Sequence, residues 1–241
     1  GSAINTKVRD FGWERLMREL HWFETHRIDY LLSADANFGI RKRDVEIARH
    51  VAEAKRRSGF PRKFRIFSTK NASERVMDVV DVLRSEELDQ GMSLTMQSLS
   101  EQALSAIGRQ NIKLDTYVEL RRKAGARSMP TYCDLIVGLP GETYDSFLDG
   151  LDRLMQLGQH DNVHVYTCTL LVGSEMAVPE YRRQHGILTA RSPIIERHMR
   201  ADAIAEAEIQ EYEDVVVGTA TMPVQSWLET NLATVIVNVL H

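Results

Sequence analysis

Asp134-Leu-Ile-Val-Gly-Leu-Pro-Gly-Glu-Thr143 decides how this chain reads. An apolar run gives way to two glycines and a proline, and helix-opening residues follow at once. A run of this kind suits a strand covered on both faces, as in a parallel sheet. The Gly-Leu-Pro-Gly turn then marks the strand's carboxyl edge, where open α/β sheets place their ligands. Gly138 and Gly141 let the chain turn sharply or let a ligand approach the backbone. Thr143 is placed to cap a helix whose apolar face is Phe147, Leu148, Leu151, Leu154 and Met155.

The same strand–turn–helix unit recurs upstream. Trp13, Leu16, Met17, Leu20 and Phe23 predict an amphipathic helix over 11–26. A strand at Ile28–Ser33 ends in Asp35-Ala-Asn-Phe-Gly39, and a helix over 43–57 stops at Ser58-Gly59. A strand at Phe64–Phe67 runs to Lys70, and Ser73 opens a helix. A strand at Gly91–Met96 leads into Gln97, and Ser98-Leu-Ser-Glu101 has capping-box spacing for a helix ending by Gly108. Asp115 is placed to cap a helix ending at Gly125, before a strand at Met129–Val137 and another at Val163–Cys168. Strands joined by helical crossovers must be parallel. Beyond residue 170 the rhythm breaks: a loop-like stretch to Ile187, a helix over 194–211, a strand over 213–220 and a helix over 223–240.

Bulk properties exclude several classes. The 241 residues are 43% hydrophobic and 27% charged, enough for one large core. A net charge of −4 gives no basic footprint for nucleic acid. No run approaches the roughly 18 apolar residues of a membrane span, and no signal peptide is visible, so a cytoplasmic location is the default expectation. Cys133 and Cys168 make neither a disulfide framework nor a four-thiolate site, and read as small buried hydrophobes. His160-Asp-Asn-Val-His164 straddles a loop and a strand start, where that spacing does not put both rings on one face. The clusters Arg41-Lys-Arg43, Lys55-Arg-Arg57 and Arg121-Arg-Lys123 read as solvated helix faces. Asp35 and Asn37 have a plain alternative as helix caps, and Glu142 as a carboxylate favoured by a helix N-terminus.

Three strand ends stand together: Asp35-Ala-Asn-Phe-Gly39, Gln97-Ser-Leu-Ser-Glu101 running on to Ile107-Gly-Arg109, and Asp134–Thr143. As a set they resemble the radical S-adenosylmethionine (SAM) superfamily, most of all the branch that often carries an upstream cobalamin-binding domain. The resemblance covers residues 1–175 of the sequence. It implies an α/β fold, a partial (β/α)6 TIM-like barrel of parallel strands, here with its first strand missing. It makes 1–175 the core and 176–241 a C-terminal α/β extension. It implies an enzyme that, when intact, uses a 4Fe–4S cluster to cleave SAM reductively and generate a 5′-deoxyadenosyl radical. That radical would serve hydrogen abstraction from, or methylation of, a small organic substrate. Cobalamin becomes a candidate cofactor through the upstream domain.

Site roles follow from the same resemblance, residue by residue. Asp35 and Asn37 would face the methionine amino group, and Lys70 or Arg109 its carboxylate. Gln97 would meet the ribose hydroxyls. Ile136 and Gly138 would contact adenine, and Leu170 and Leu171 would cover it. The family's Cys-x3-Cys-x2-Cys cluster loop is absent here. The branch has a Trp-Gly-Ser-Ala-like stretch just past that loop, and this chain begins Gly1-Ser2-Ala3. The expectation is a fragment starting just past the loop, inactive by itself, with no catalytic or metal residue to name. Residues Gln97 to Thr143 also resemble coproporphyrinogen dehydrogenase-like and methylthiotransferase-like members. A reading outside catalysis is a natural cluster-less barrel that binds a nucleotide-like ligand or a protein partner. The unpaired parallel strand expected at 28–33 argues against it, because such an edge is a liability.

Overall fold

A computed structural model describes residues 9–35, 37–68, 74–89, 91–159, 163–194 and 210–240. They fall into two compact units, one of residues 1–95 with 112–133, the other of residues 96–111 with 134–241.

In the first unit the chain runs α1 (Trp13–Thr25), β1 (Tyr30–Leu32), α2 (Lys42–Ser58), β2 (Lys63–Arg65), α3 (Glu74–Ser85) and β3 (Met92–Ser93). After α4 (Glu101–Ala106), which belongs to the other unit, it returns with α5 (Leu114–Ala126) and the first residues of β4 (Thr131–Val137). β1 pairs with β2 and β3 with β4, both in parallel, as the crossover rule requires. α2 forms because Ala48, Val51 and Ala52 recur at helical spacing and are wholly buried. It ends at Gly59, whose φ of +81° is the left-handed stop that glycine adopts at no steric cost. Its partner α3 buries Val76, Val79, Val80 and Leu83, each contributing about 1.5–3 kcal/mol. By contrast, α1 buries none of its residues. The strands are shorter than their apolar runs. Isolated parallel bridges extend the pairing beyond them, such as Phe38 to Ser68.

The second unit holds α4 (Glu101–Ala106), the rest of β4, α6 (Tyr144–Gln156), β5 (Val163–Thr167) and β6 (Thr169–Leu170). A short 3-10 turn, α7 (Pro179–His185), β7 (Leu188–Pro193), β8 (Tyr212–Gly218) and α8 (Val224–Leu240) follow. β5 is hydrogen-bonded beside β4. β8 lies antiparallel between β6 and β7. The chain is thus mixed α/β with parallel pairs and an antiparallel three-stranded sheet.

Several local expectations change. The loop-like stretch to Ile187 contains α7, opened by Pro179 in its first turn, where proline loses nothing. Asp115 lies in the first turn of α5, and Lys113 is the residue that precedes the helix. Ser100, not Ser98, caps α4, accepting from Ala103 N–H at 3.3 Å. β4 alternates, with Thr131, Cys133, Leu135 and Val137 buried and the residues between half-buried, so one face is covered more deeply than the other. The helix expected over 194–211 and the residue Ser73 fall outside the described residues. No helix among the described residues is long and apolar enough to cross a membrane.

Candidate functional site

The carboxyl end of β4 carries the second unit's candidate site. Gln97 bridges to Leu135 in parallel, its N–H donating to Asp134 O at 2.9 Å and its carbonyl accepting from Ile136 N–H at 2.7 Å. It does so at φ +65°, a left-handed conformation uncommon for a side chain of this size. Such strain persists only where the surroundings impose it, and it gathers at functional positions. The Gln97 Oε1 atom is buried and has no hydrogen-bond partner among the described residues. Two positions past Ile136, Gly138 has φ +92° and lies against Val216 and the Trp227 indole. Ile136 and Leu170 meet in one apolar cluster with Ala103, Leu139, Cys168, Ile187 and Val216. The structure therefore brings Gln97, Ile136, Gly138 and Leu170 to one strand end. Leu171 is 68% exposed, and Arg109 is exposed just past α4.

A buried carboxylate holds this arrangement. Glu142 is 1% exposed and accepts from the Ser98 and Ser146 hydroxyls, the latter at 2.7 Å. Asn111 donates to Ser98 O at 2.6 Å, which ties the same turn from its other side. Thr143 caps α6, as the sequence predicts, and Ser146 completes a reciprocal pair with it at 3.0 Å each. Glu142 therefore braces the Gln97 turn as well as sitting at the start of α6.

Burial pushes the Glu142 carboxyl above its ordinary range, and the serine hydrogen bonds only partly oppose this. The folded unit then favours the protonated acid. Its stabilising contribution is complete below the ordinary carboxylate range and is lost as pH rises through the raised value. Glu142→Gln keeps the shape and one acceptor oxygen but cannot ionise. The wild-type denaturation midpoint is expected to fall relative to that of Glu142→Gln as pH climbs from the carboxylate range to neutrality. Parallel midpoint-versus-pH curves for the two proteins would refute the assignment.

In the first unit, Asp35 and Asn37 are exposed on the loop after β1. Asp35 Oδ1 accepts from Asn37 N–H at 2.9 Å, an Asx turn rather than a helix cap. The loop is pinned by a residue the sequence did not single out. Asp44 is 4% exposed, and its Oδ2 accepts the N–H groups of Gly39 and Arg41, both at 2.8 Å. The only sequence signal for Asp44 is a carboxylate in a helix's first turn, a common feature. Lys70 and His160 fall outside the described residues.

Metal chemistry finds no donor set among the described residues. Cys133 and Cys168 are the chain's two cysteines, both buried, and burial pushes the Cys168 thiol up to about 11. A cysteine ligates a 4Fe–4S cluster as its thiolate. No three His, Cys, Asp or Glu side chains gather among the described residues to hold a metal ion. The residues present do not fit a 4Fe–4S cluster. They do fit an adenosyl ligand, through the orphaned Gln97 acceptor and the apolar wall of Ile136 and Leu170.

No family model matches the chain. Over 231 residues it is 38% identical to the cobalamin-dependent radical SAM methyltransferase TokK of Streptomyces tokunonensis, a match covering 95% of this chain and 33% of TokK. Over 230 residues it is 35% identical to the 2-(S-pantetheinyl)-carbapenam-3-carboxylate methyltransferase of Streptantibioticus cattleyicolor, again covering 95% and 33%. The chain thus spans about a third of the length of the curated relatives it matches. Among solved structures it is similar to the radical SAM methyltransferase TsrM of Kitasatospora setae, with tryptophan substrate and the SAM analogue aza-SAM bound. That match has a TM-score of 0.56 at 13% identity and covers 91% of this chain and 45% of TsrM.

Proposed function

We propose, from the premise that this chain belongs to the cobalamin-associated branch of the radical SAM superfamily, that it is the SAM-binding part of a methyltransferase acting on a small organic molecule. The observation that carries the reading is Gln97, strained at φ +65° with a buried acceptor that nothing among the described residues satisfies. A buried, unsatisfied acceptor costs about 1–3 kcal/mol. A ribose hydroxyl would remove that cost. Ile136, Gly138 and Leu170 would contact the adenine, with Leu171 at the exposed rim. Asp35 and Asn37 would hold the methionine ammonium, since carboxylate and amide oxygens are its natural acceptors. Lys70 and Arg109 would serve the methionine carboxylate.

In this reading the strands of residues 1–175 form a partial (β/α)6 barrel and 176–241 its extension. Bound SAM supplies an electrophilic methyl group and an adenosyl group. This chain's own residues bind and orient it and keep water from its apolar side. The cluster and cobalamin named with TsrM would be held by residues outside those described here. The chain alone is therefore expected to form no 5′-deoxyadenosine.

Calorimetric titration with S-adenosylhomocysteine tests the binding claim. Gln97→Asn suits the experiment because asparagine tolerates a positive φ and only withdraws the amide. It is expected to weaken affinity roughly tenfold, the value of one buried hydrogen bond. Wild-type chain that is folded yet binds no adenosyl ligand would overturn the reading. Formation of 5′-deoxyadenosine after anaerobic iron–sulfide reconstitution would overturn the assignment of the cluster elsewhere.

A further inference from the structure

The orphaned acceptor of Gln97 has a counterpart. Trp227 sits in the first turn of α8, a helix packed against α6 and β8. Its backbone is fixed, the N–H donating to Pro223 O at 2.9 Å and the carbonyl accepting from Asn231 Nδ2 at 2.7 Å. The indole Nε1 is inaccessible to solvent and has no hydrogen-bond partner among the described residues. Buried tryptophans usually place this N–H on an acceptor. A Cβ built on Gly138 would lie 3.5 Å from Nε1 and 3.4 Å from Val216 Cγ1. The glycine therefore leaves room for about one carbon atom beside the indole N–H, at the strand end that also holds Gln97.

A lone donor and a lone acceptor thus flank Leu135–Gly138, and they do not satisfy one another. A nucleoside supplies what each lacks: hydroxyl donors on the sugar and unprotonated ring nitrogens on the base. We infer that Trp227 is the base-reading residue of the adenosyl site, its indole N–H donating to a ring nitrogen of the purine. This rests on the reading of the strand end as the SAM site, and adds a specificity-determining residue drawn from the C-terminal extension. Ile136 and Leu170 can hold any flat apolar ring, whereas a fixed donor selects for the acceptor pattern of one base.

The test is the affinity of S-adenosylhomocysteine and its 1-deaza, 3-deaza and 7-deaza analogues for the folded chain and for Trp227→Phe. The phenylalanine keeps an aromatic ring and removes the donor. Trp227→Phe is expected to bind S-adenosylhomocysteine roughly tenfold more weakly. One deaza analogue should bind wild type roughly tenfold more weakly than the parent, and bind Trp227→Phe as well as the parent does. Because the second comparison is made within each protein, a general loss of packing cannot imitate it. Equal affinity of both proteins for the parent, or the same analogue ratios in both, would overturn the inference while leaving the site reading intact. Absence of any binding to folded wild type would overturn both, and is the outcome that separates the two failures.

Discussion

Gly141→Ala is expected to destabilise the second unit by about 3–5 kcal/mol, seen as a lowered denaturant midpoint at unchanged slope. Two costs add. Gly141 sits at φ +83°, where a Cβ is strained whatever the space around it. That Cβ would also lie 2.9 Å from Gln102 O and 3.2 Å from Ala103 N, both backbone atoms of α4. Backbone cannot swing aside as a flexible side chain can. α4 is held by its Ser100 cap and by Ala103, which is wholly buried in the apolar cluster. Relief therefore requires α4 or the Gly-Leu-Pro-Gly turn to move, and that turn positions Gly138 and Glu142. Gly125→Ala is the control. Gly125 lies in α5 with nothing within 4 Å of its built Cβ, so alanine there should stabilise by about 0.5–1 kcal/mol. Equal midpoints for Gly141→Ala and wild type would mean that the turn is not seated against α4.

The Gly-Leu-Pro-Gly turn was legible because its requirement is local. Positive φ selects glycine within a few residues of sequence, and Thr143 caps α6 through its own neighbour Ser146. The parallel pairing of β1 with β2 and of β3 with β4 was legible for a similar reason, since a helical crossover leaves no other direction. α7 was hidden because a helix of 7 residues between two glycines shows too little periodicity to stand out. β8 was seen as a strand, but its antiparallel place beside β6 depends on register with residues more than 40 positions away. Ser98 was misread for an instructive reason. Its spacing to Glu101 matches a capping box, yet its hydroxyl is drawn to Glu142, 44 residues on. The candidate site was legible as residue types at strand ends. The orphaned atoms of Gln97 and Trp227 were not, because a missing partner is a property of three-dimensional surroundings alone.

The loop after β1 and the Gln97 turn share a device that no local pattern announced. Each is pinned by a buried carboxylate near a helix start: Asp44, in the helix that follows, for the loop after β1, and Glu142, from the distant start of α6, for the Gln97 turn. Asp44 is the stronger case, because one of its oxygens takes two backbone donors that would otherwise be stranded. Asp44→Ala is expected to cost about 3 kcal/mol, from two lost charge-assisted bonds and the exposed needs of the Gly39 and Arg41 amides. Asp44→Asn retains an acceptor without the charge and should recover about half of that. Stability alone would not distinguish a loop anchor from a general core loss. Hydrogen exchange does: the Gly39 and Arg41 amides should lose protection in Asp44→Ala under conditions where Val79 and Val80, buried in α3, keep theirs. Undiminished protection at Gly39 in Asp44→Ala would remove Asp44 from this role and leave the loop held by the packing of Phe38 alone.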